Sequence, residues 1–192
     1  MAPANRPEIL LLSLARYCSF FDETYSSLID KLAESATVNC AKTVTGAIRY
    51  LGEHNPKAII ITDPGLIEDA NAEVLPKVIS YFDNFFASGF ELPWKSGDYH
   101  RTEFEFNRSC VLPQGAMTSS LPGPYSMKTL HIKNARPHEK IFVPVRNART
   151  QSHVLPPTPV DPTQARYVAY CGDANAEEGS DKVILSLCGL RG

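Results

Sequence analysis

The feature that most constrains this chain is an alternation confined to its first 84 residues. Three apolar runs of strand length, "EILLLSLA" (8 to 15), "TVNCAKTV" (37 to 44) and "KAIIITD" (57 to 63), are separated by stretches of helical periodicity. "DETYSSLIDKLAESA" (22 to 36) puts Tyr25, Leu28, Ile29 and Leu32 on one helical face, with Asp22 as the expected N-cap. "TGAIRYLGEHN" (45 to 55) and "AEVLPKVISYFDN" (72 to 84) read as two further helices, the second with Pro76 in its first turn. Strands that are apolar throughout need cover on both faces, which alternating amphipathic helices supply to a parallel sheet. The first half therefore reads as a doubly wound α/β unit. At 192 residues and 43% hydrophobic, the chain can bury one sizeable core, and a single domain over 1–192 is expected.

After Asn84 the rhythm breaks. "FFASGFELPWKSGDYHRTEFEFN" (85 to 107) begins as a helix end, turns at Gly89, Pro93 and Gly97, and continues as the alternating half-exposed strand "RTEFEFN". Residues 112 to 127 read as loop. "TLHIKNA" (129 to 135) and "KIFVPVR" (140 to 146) read as short strands, and "PPTPVDPTQ" (156 to 164) as a proline-rich excursion. The chain closes with strand "ARYVAYCGD" and helix "EEGSDKVILSLCGL".

Charge and cysteine usage exclude several classes. The net charge is -2 and no Lys/Arg cluster is interleaved with aromatics, so a nucleic-acid partner is not expected. The five cysteines are scattered and never form a CxxC pair, which fits reduced thiols better than a disulfide framework or a zinc knuckle. "EILLLSLARYC" carries Pro7 and Glu8 at its start and reads as a buried first strand rather than a signal core. No apolar run approaches membrane-spanning length, so no membrane partner is expected and a cytoplasmic location is the default. No phosphate loop, GxGxxG, GxSxG or paired-His zinc signature is present, and neither a cofactor nor a metal is expected.

With that layout in view, "LPWKSGDYHRT", "RTQSHVLPPTPVD" and "GDANAEEGSDKVILSLCGL" give the chain a family likeness. It resembles the class I glutamine amidotransferase-like superfamily, and within it a fungal group. The resemblance implies a flavodoxin-like three-layer sandwich, with a mainly parallel central sheet and helices on both faces. In amidotransferases of this fold a cysteine sits on a sharp elbow after the fourth parallel strand, and a His and a Glu follow a late strand. The chemistry needs an exposed thiolate with an imidazole to take its proton. This sequence departs twice: "DNFFASGF" runs on from Asn84 with no elbow strand, and the late turn carries Asp173, Asn175, Glu177 and Glu178 but no histidine. Neither nucleophile nor base carries over.

Several residues remain candidates in their own right. Asp63 closes the third strand where doubly wound sheets bind ligands, and either meets a ligand with Thr62 or caps the turn with Pro64 and Gly65. Asp173, Asn175 and Glu177 follow the last strand; they cap and favour the dipole of the final helix, Asp173 or Asn175 being the expected N-cap, or contact a ligand, or ligate a divalent cation through oxygens, although the spacing fits no recognised calcium loop. "PWKSGDYHRT" gathers Trp94, Tyr99, His100 and Arg101 in a turn-rich segment that lines a pocket or plugs the core edge. Of the cysteines, Cys18 lies in the first strand-to-helix loop, the best place for a nucleophile, while Cys171 and Cys188 read as buried and inert.

The expected function is that of a variant family member binding a small metabolite without amidotransferase catalysis, through Asp63, Trp94, Tyr99, Arg101, Asp173, Asn175 and Glu177. The alternative is a cysteine-dependent hydrolase or transferase in which Cys18 attacks a carbonyl and His100 is the base. A third reading is a structural partner in an oligomer such as a homodimer, with the proline-rich loops as contact surface.

Overall fold

A computed structural model of the chain describes residues 6–16, 21–81, 95–133, 135–145, 169, 171 and 175–191. It divides into two compact units, Met1–Gly89 and Phe90–Gly192. In the first, β1 (Glu8–Leu12), α1 (Phe21–Ser35), β2 (Thr37–Ala41), α2 (Val44–Glu53), β3 (Ala58–Ile61) and α3 (Val74–Tyr81) follow in order, with two 3-10 turns, Pro64–Ile67 and Asp69–Asn71, before α3. The sheet order is β2-β1-β3, and both pairings are parallel: Glu8 faces Thr37, and Ile9 faces Ala58.

Position in the sheet explains the composition of each strand. Central β1 is apolar on both faces, and Ile9, Leu10, Leu11 and Leu12 are all buried. The flanking strands tolerate exposure, so Cys40 on β2 and Ile61 on β3 reach the surface. Leu10, Leu12 and Leu14 pack with Ala41, Ala47 of α2, Leu66, and Val74 and Val78 of α3. Ile9 and Leu11 alternate to the opposite face, and α1 buries its own apolar side, Phe21, Leu28 and Leu32; a right-handed crossover from β1 to β2 is the rule for such a connection. Thr43 caps α2, its hydroxyl accepting from the Gly46 amide at 3.1 Å. Asp22 is not the cap of α1. It lies inside the first turn, and its carboxylate pairs with Lys42 instead.

The second unit contains β4 (Lys95–Phe106), β5 (Tyr125–Lys133), β6 (Phe142–Pro144) and α4 (Glu178–Leu187). Its sheet order is β5-β4-β6, and both pairings are antiparallel. Thr102 faces Met127 and His100 faces Thr129, so these residues share the inner face with buried Phe104. Phe104, Met127, Ile141 and Phe142 close a core with Val183 and Leu187 of α4. The first turn of α4 approaches so closely that a Cβ on Gly179 would lie 2.4 Å from a ring carbon of Tyr125.

This architecture corrects the flavodoxin-like expectation. The described residues form one three-stranded parallel sheet and a separate three-stranded antiparallel sheet, not a sandwich around a mainly parallel central sheet. The cause lies in the later strands. "TEFEF" alternates, which suits a sheet with one face buried, and β4 pairs in register with β5 and β6 rather than extending β3. The elbow expected after Asn84 and most of the expected strand over 165 to 173 lie outside the described residues.

One ion pair, between exposed Arg136 and buried Glu139, gives the second unit a pH signature. Glu139 accepts from the Arg136 backbone amide at 2.7 Å and from its Nε at 2.6 Å. Burial alone would push the Glu139 carboxyl up, but the hydrogen bonds from Arg136, with the charges of Arg136 and His138, hold it below its ordinary value. A depressed folded-state pKa gives stability that is present above the unfolded value and lost as pH falls through the folded one. Glu139→Gln is therefore expected to cost about 1–3 kcal/mol at neutral pH, with the difference from the parent narrowing below roughly pH 4 in urea titrations.

Candidate functional site

The connections fix where a doubly wound arrangement would place a binding crevice in the first unit. From β1 the chain passes through α1 to β2 on one side, then through α2 to β3 on the other side of β1. Direction reverses between β1 and β3, and ligands of doubly wound sheets bind outside the carboxyl ends of the strands at such a point. Here those ends lead into Ser13–Arg16 and Thr62–Leu66.

Asp63 joins the two segments. Its Oδ1 accepts from the backbone amides of Leu14 at 3.2 Å, Ala15 at 3.0 Å and Gly65 at 2.8 Å. The last bond makes it the N-cap of the turn Pro64–Ile67, so the capping expectation holds, but the bonds to the loop after β1 go beyond it. The other carboxylate oxygen, Oδ2, is buried and has no hydrogen-bond partner among the described residues. Buried Asn71 braces the same place, its amide donating to the carbonyls of Leu14 at 3.1 Å and Gly65 at 2.7 Å. Tyr25 Oη donates to the Thr62 carbonyl at 2.9 Å, and Thr62 Oγ1 to the Leu12 carbonyl at 2.8 Å. A glycine is required at 65, because a Cβ there would stand 2.2 Å from the Ala15 nitrogen.

The electrostatic consequence is specific. Amides in the first strand-to-helix turn of a doubly wound fold commonly cradle phosphate. In this chain the Leu14 and Ala15 amides already hold an internal anion, so phosphate is disfavoured there. Lys42 is engaged as well, with Asp22 oxygens at 2.6 and 2.8 Å and the Phe21 ring centroid at 4.7 Å. Those side chains are 46% and 79% exposed, so the pair adds little stability.

In the second unit, Tyr99, His100 and Arg101 stand on β4, not in a turn-rich loop. The strand begins at Lys95 and absorbs Gly97 through a register shift between Ser96 and Tyr99. Arg101 and Glu177, expected to share a ligand, share a bond instead: Nη2 donates to Glu177 Oε1 at 2.7 Å, and the same oxygen accepts from the Lys128 amide at 3.3 Å. Glu177 is the N-cap residue of α4, replacing the expected Asp173 or Asn175, yet its side chain makes no cap bond. Asn175 is exposed just ahead of it. Tyr99 is exposed, with Lys128 Nζ 4.9 Å from its ring centroid, while His100 stacks on buried His131 at 3.8 Å.

Cys18, Trp94 and Asp173 lie outside the described residues, as do Tyr17 and Phe20 beside Cys18. Burial pushes the Cys40 and Cys110 thiols up, the wrong direction for a nucleophile at neutral pH. Cys188 is buried at the end of α4 and Cys171 is half-buried. Among the described residues no His, Cys, Asp and Glu side chains group as metal ligands, and no helix is long and apolar enough to cross a membrane.

Sequence reasoning reached Asp63 and Thr62 but missed Asn71, and it took Tyr25 only as part of an apolar face. The sequence marks neither role: Asn71 sits in the polar run "EDANAE", and the Tyr25 hydroxyl finds a carbonyl 37 residues away. Compared with protein-family models, with curated proteins and with solved structures, the chain matches none of them.

Proposed function

We propose that the protein binds a small metabolite bearing N–H or O–H donors at the carboxyl end of its parallel sheet, with Asp63 as the anchor, and that it does so without amide transfer. The observation that carries this is the division of labour within one carboxylate at the strand-order reversal: among the described residues Oδ1 takes three backbone amides, while buried Oδ2 takes no donor. A buried acceptor left unmade costs about 1–3 kcal/mol, and a ligand donor recovers that cost. Oδ2 is screened from solvent, so a ligand engages it only if the surrounding loop gives way. The internal anion selects against phosphorylated compounds and for amines, amides and polyols. The reading rests on this crevice and not on the family likeness.

The test is a thermal-shift screen of free amino acids, polyols and inorganic phosphate against the parent and Asp63→Asn. Asparagine keeps an acceptor for the three amides and turns the other position into a donor. A compound at about 100 times its Kd should stabilise the parent by about 2.7 kcal/mol, and Asp63→Asn should fold but lose that gain. Equal gains in both proteins, or a gain from phosphate alone, would contradict the proposal.

A further inference from the structure

The first unit carries a second concavity, on the segment that leads from the crevice into α3. It is a groove of about 390 Å³ lined by the 3-10 turns and α3. Its apolar wall comes from Leu66, Ile67, Leu75 and Ile79, and its charge from Glu68 and Asp69; no Lys or Arg is among the described residues that line it. Ile67 is 77% exposed at its edge, an unusual position for a large aliphatic side chain.

Among the described residues neither carboxylate is held by a hydrogen bond or an ion pair. Glu68 is the N-cap residue of the turn Asp69–Asn71, yet its side chain makes no capping bond. Three other acids of this unit are engaged: Asp63 clamps a loop, Asp22 holds Lys42, and Glu8 accepts from Tyr50. Two uncompensated carboxylates beside an apolar wall favour a cation that carries its own apolar body.

From this we propose that the groove is a binding site for a small amphiphilic amine, the ammonium group lying against Glu68 and Asp69 and the hydrocarbon along Ile67, Leu75 and Ile79. The site is separate from the Asp63 anchor and does not rest on it. Attraction at a partly exposed pair of carboxylates is real but screened by salt.

The test uses three probes with one hydrocarbon: octylammonium, octanol and octanoate, titrated into the full chain and followed by residue-resolved NMR. Octylammonium should shift the resonances of Ile67, Leu75 and Ile79 and bind about 5–10-fold tighter than octanol at low salt, with octanoate weakest. The double variant Glu68→Gln/Asp69→Asn changes only surface groups, so it should fold, keep octanol binding and lose the preference. Ile67→Asn should weaken all three probes, while Asp63→Asn should leave the groove unaffected. Equal affinity for the three, a preference that survives the double variant, or shifts confined to other residues would overturn the proposal.

Discussion

Gly65→Ala is expected to be among the most damaging single-methyl changes in this chain. The added Cβ would meet the Ala15 nitrogen at 2.2 Å, the Leu14 carbonyl carbon at 2.3 Å and the Ala15 Cα at 2.8 Å. All three are backbone atoms, so no rotamer relieves the collision. The turn after β1 must retreat, and its bonds to Asp63 at 3.2 and 3.0 Å then lengthen or break. Overpacking typically costs 1–3 kcal/mol, and the lost bonds place this case at or above about 3 kcal/mol. Gly52→Ala is the matched control, since nothing lies within 4 Å of its Cβ and it sits in α2. It should stabilise by about 0.5–1 kcal/mol. Urea denaturation of the two variants checks both signs, and comparable effects would mean that the clamp is not as tight as described.

Phe104→Ala should damage the second unit on a similar scale. The ring is completely buried among Met127, Ile141, Phe142, Val183 and Leu187, joining residues of all three antiparallel strands and α4. Truncating such a ring typically costs 3–5 kcal/mol, part lost transfer energy and part residual cavity. Hydrogen exchange should show the loss as reduced protection of amides in β4, β5 and β6. A cost below about 1 kcal/mol, near that of a surface change, would contradict the packing of this core.

Sequence legibility followed the range of the interactions. β1 could be read because a central parallel strand is apolar on both faces, a local property of the run Ile9–Leu12 in "EILLL". β4 was read as a turn followed by a strand because Gly97 signals a break, whereas the strand accommodates it as a register irregularity. The antiparallel sheet was missed for a related reason: alternation marks a half-exposed strand without naming its partners. At the site, the position of Asp63 at a strand end was legible. Its bonds to residues 48 and 49 positions away were not, nor was the pairing of Arg101 with Glu177 across 76 residues. The Glu177 case shows why an acidic turn before a helix is ambiguous, since the helix-capping role and the ion-pair role demand the same residue type.

The thiols define a neighbouring prediction. Cys40 is exposed but its thiol is pushed up by burial of its sulfur environment, so iodoacetamide at pH 6 should modify it slowly. Rapid modification of Cys18 instead would revive the cysteine-dependent alternative, and mass mapping separates the two.

Amide NMR on the full chain tests Asp63 as a ligand anchor at the strand-order reversal most directly. With a stabilising amino acid or polyol from the thermal screen, the Leu14, Ala15 and Gly65 amides should show the largest shifts, because all three donate to the carboxylate whose second oxygen the ligand engages. The same titration of Asp63→Asn should leave them unmoved. Saturable shifts elsewhere in the parent, with these three amides silent, would contradict the assignment of this crevice as the binding site.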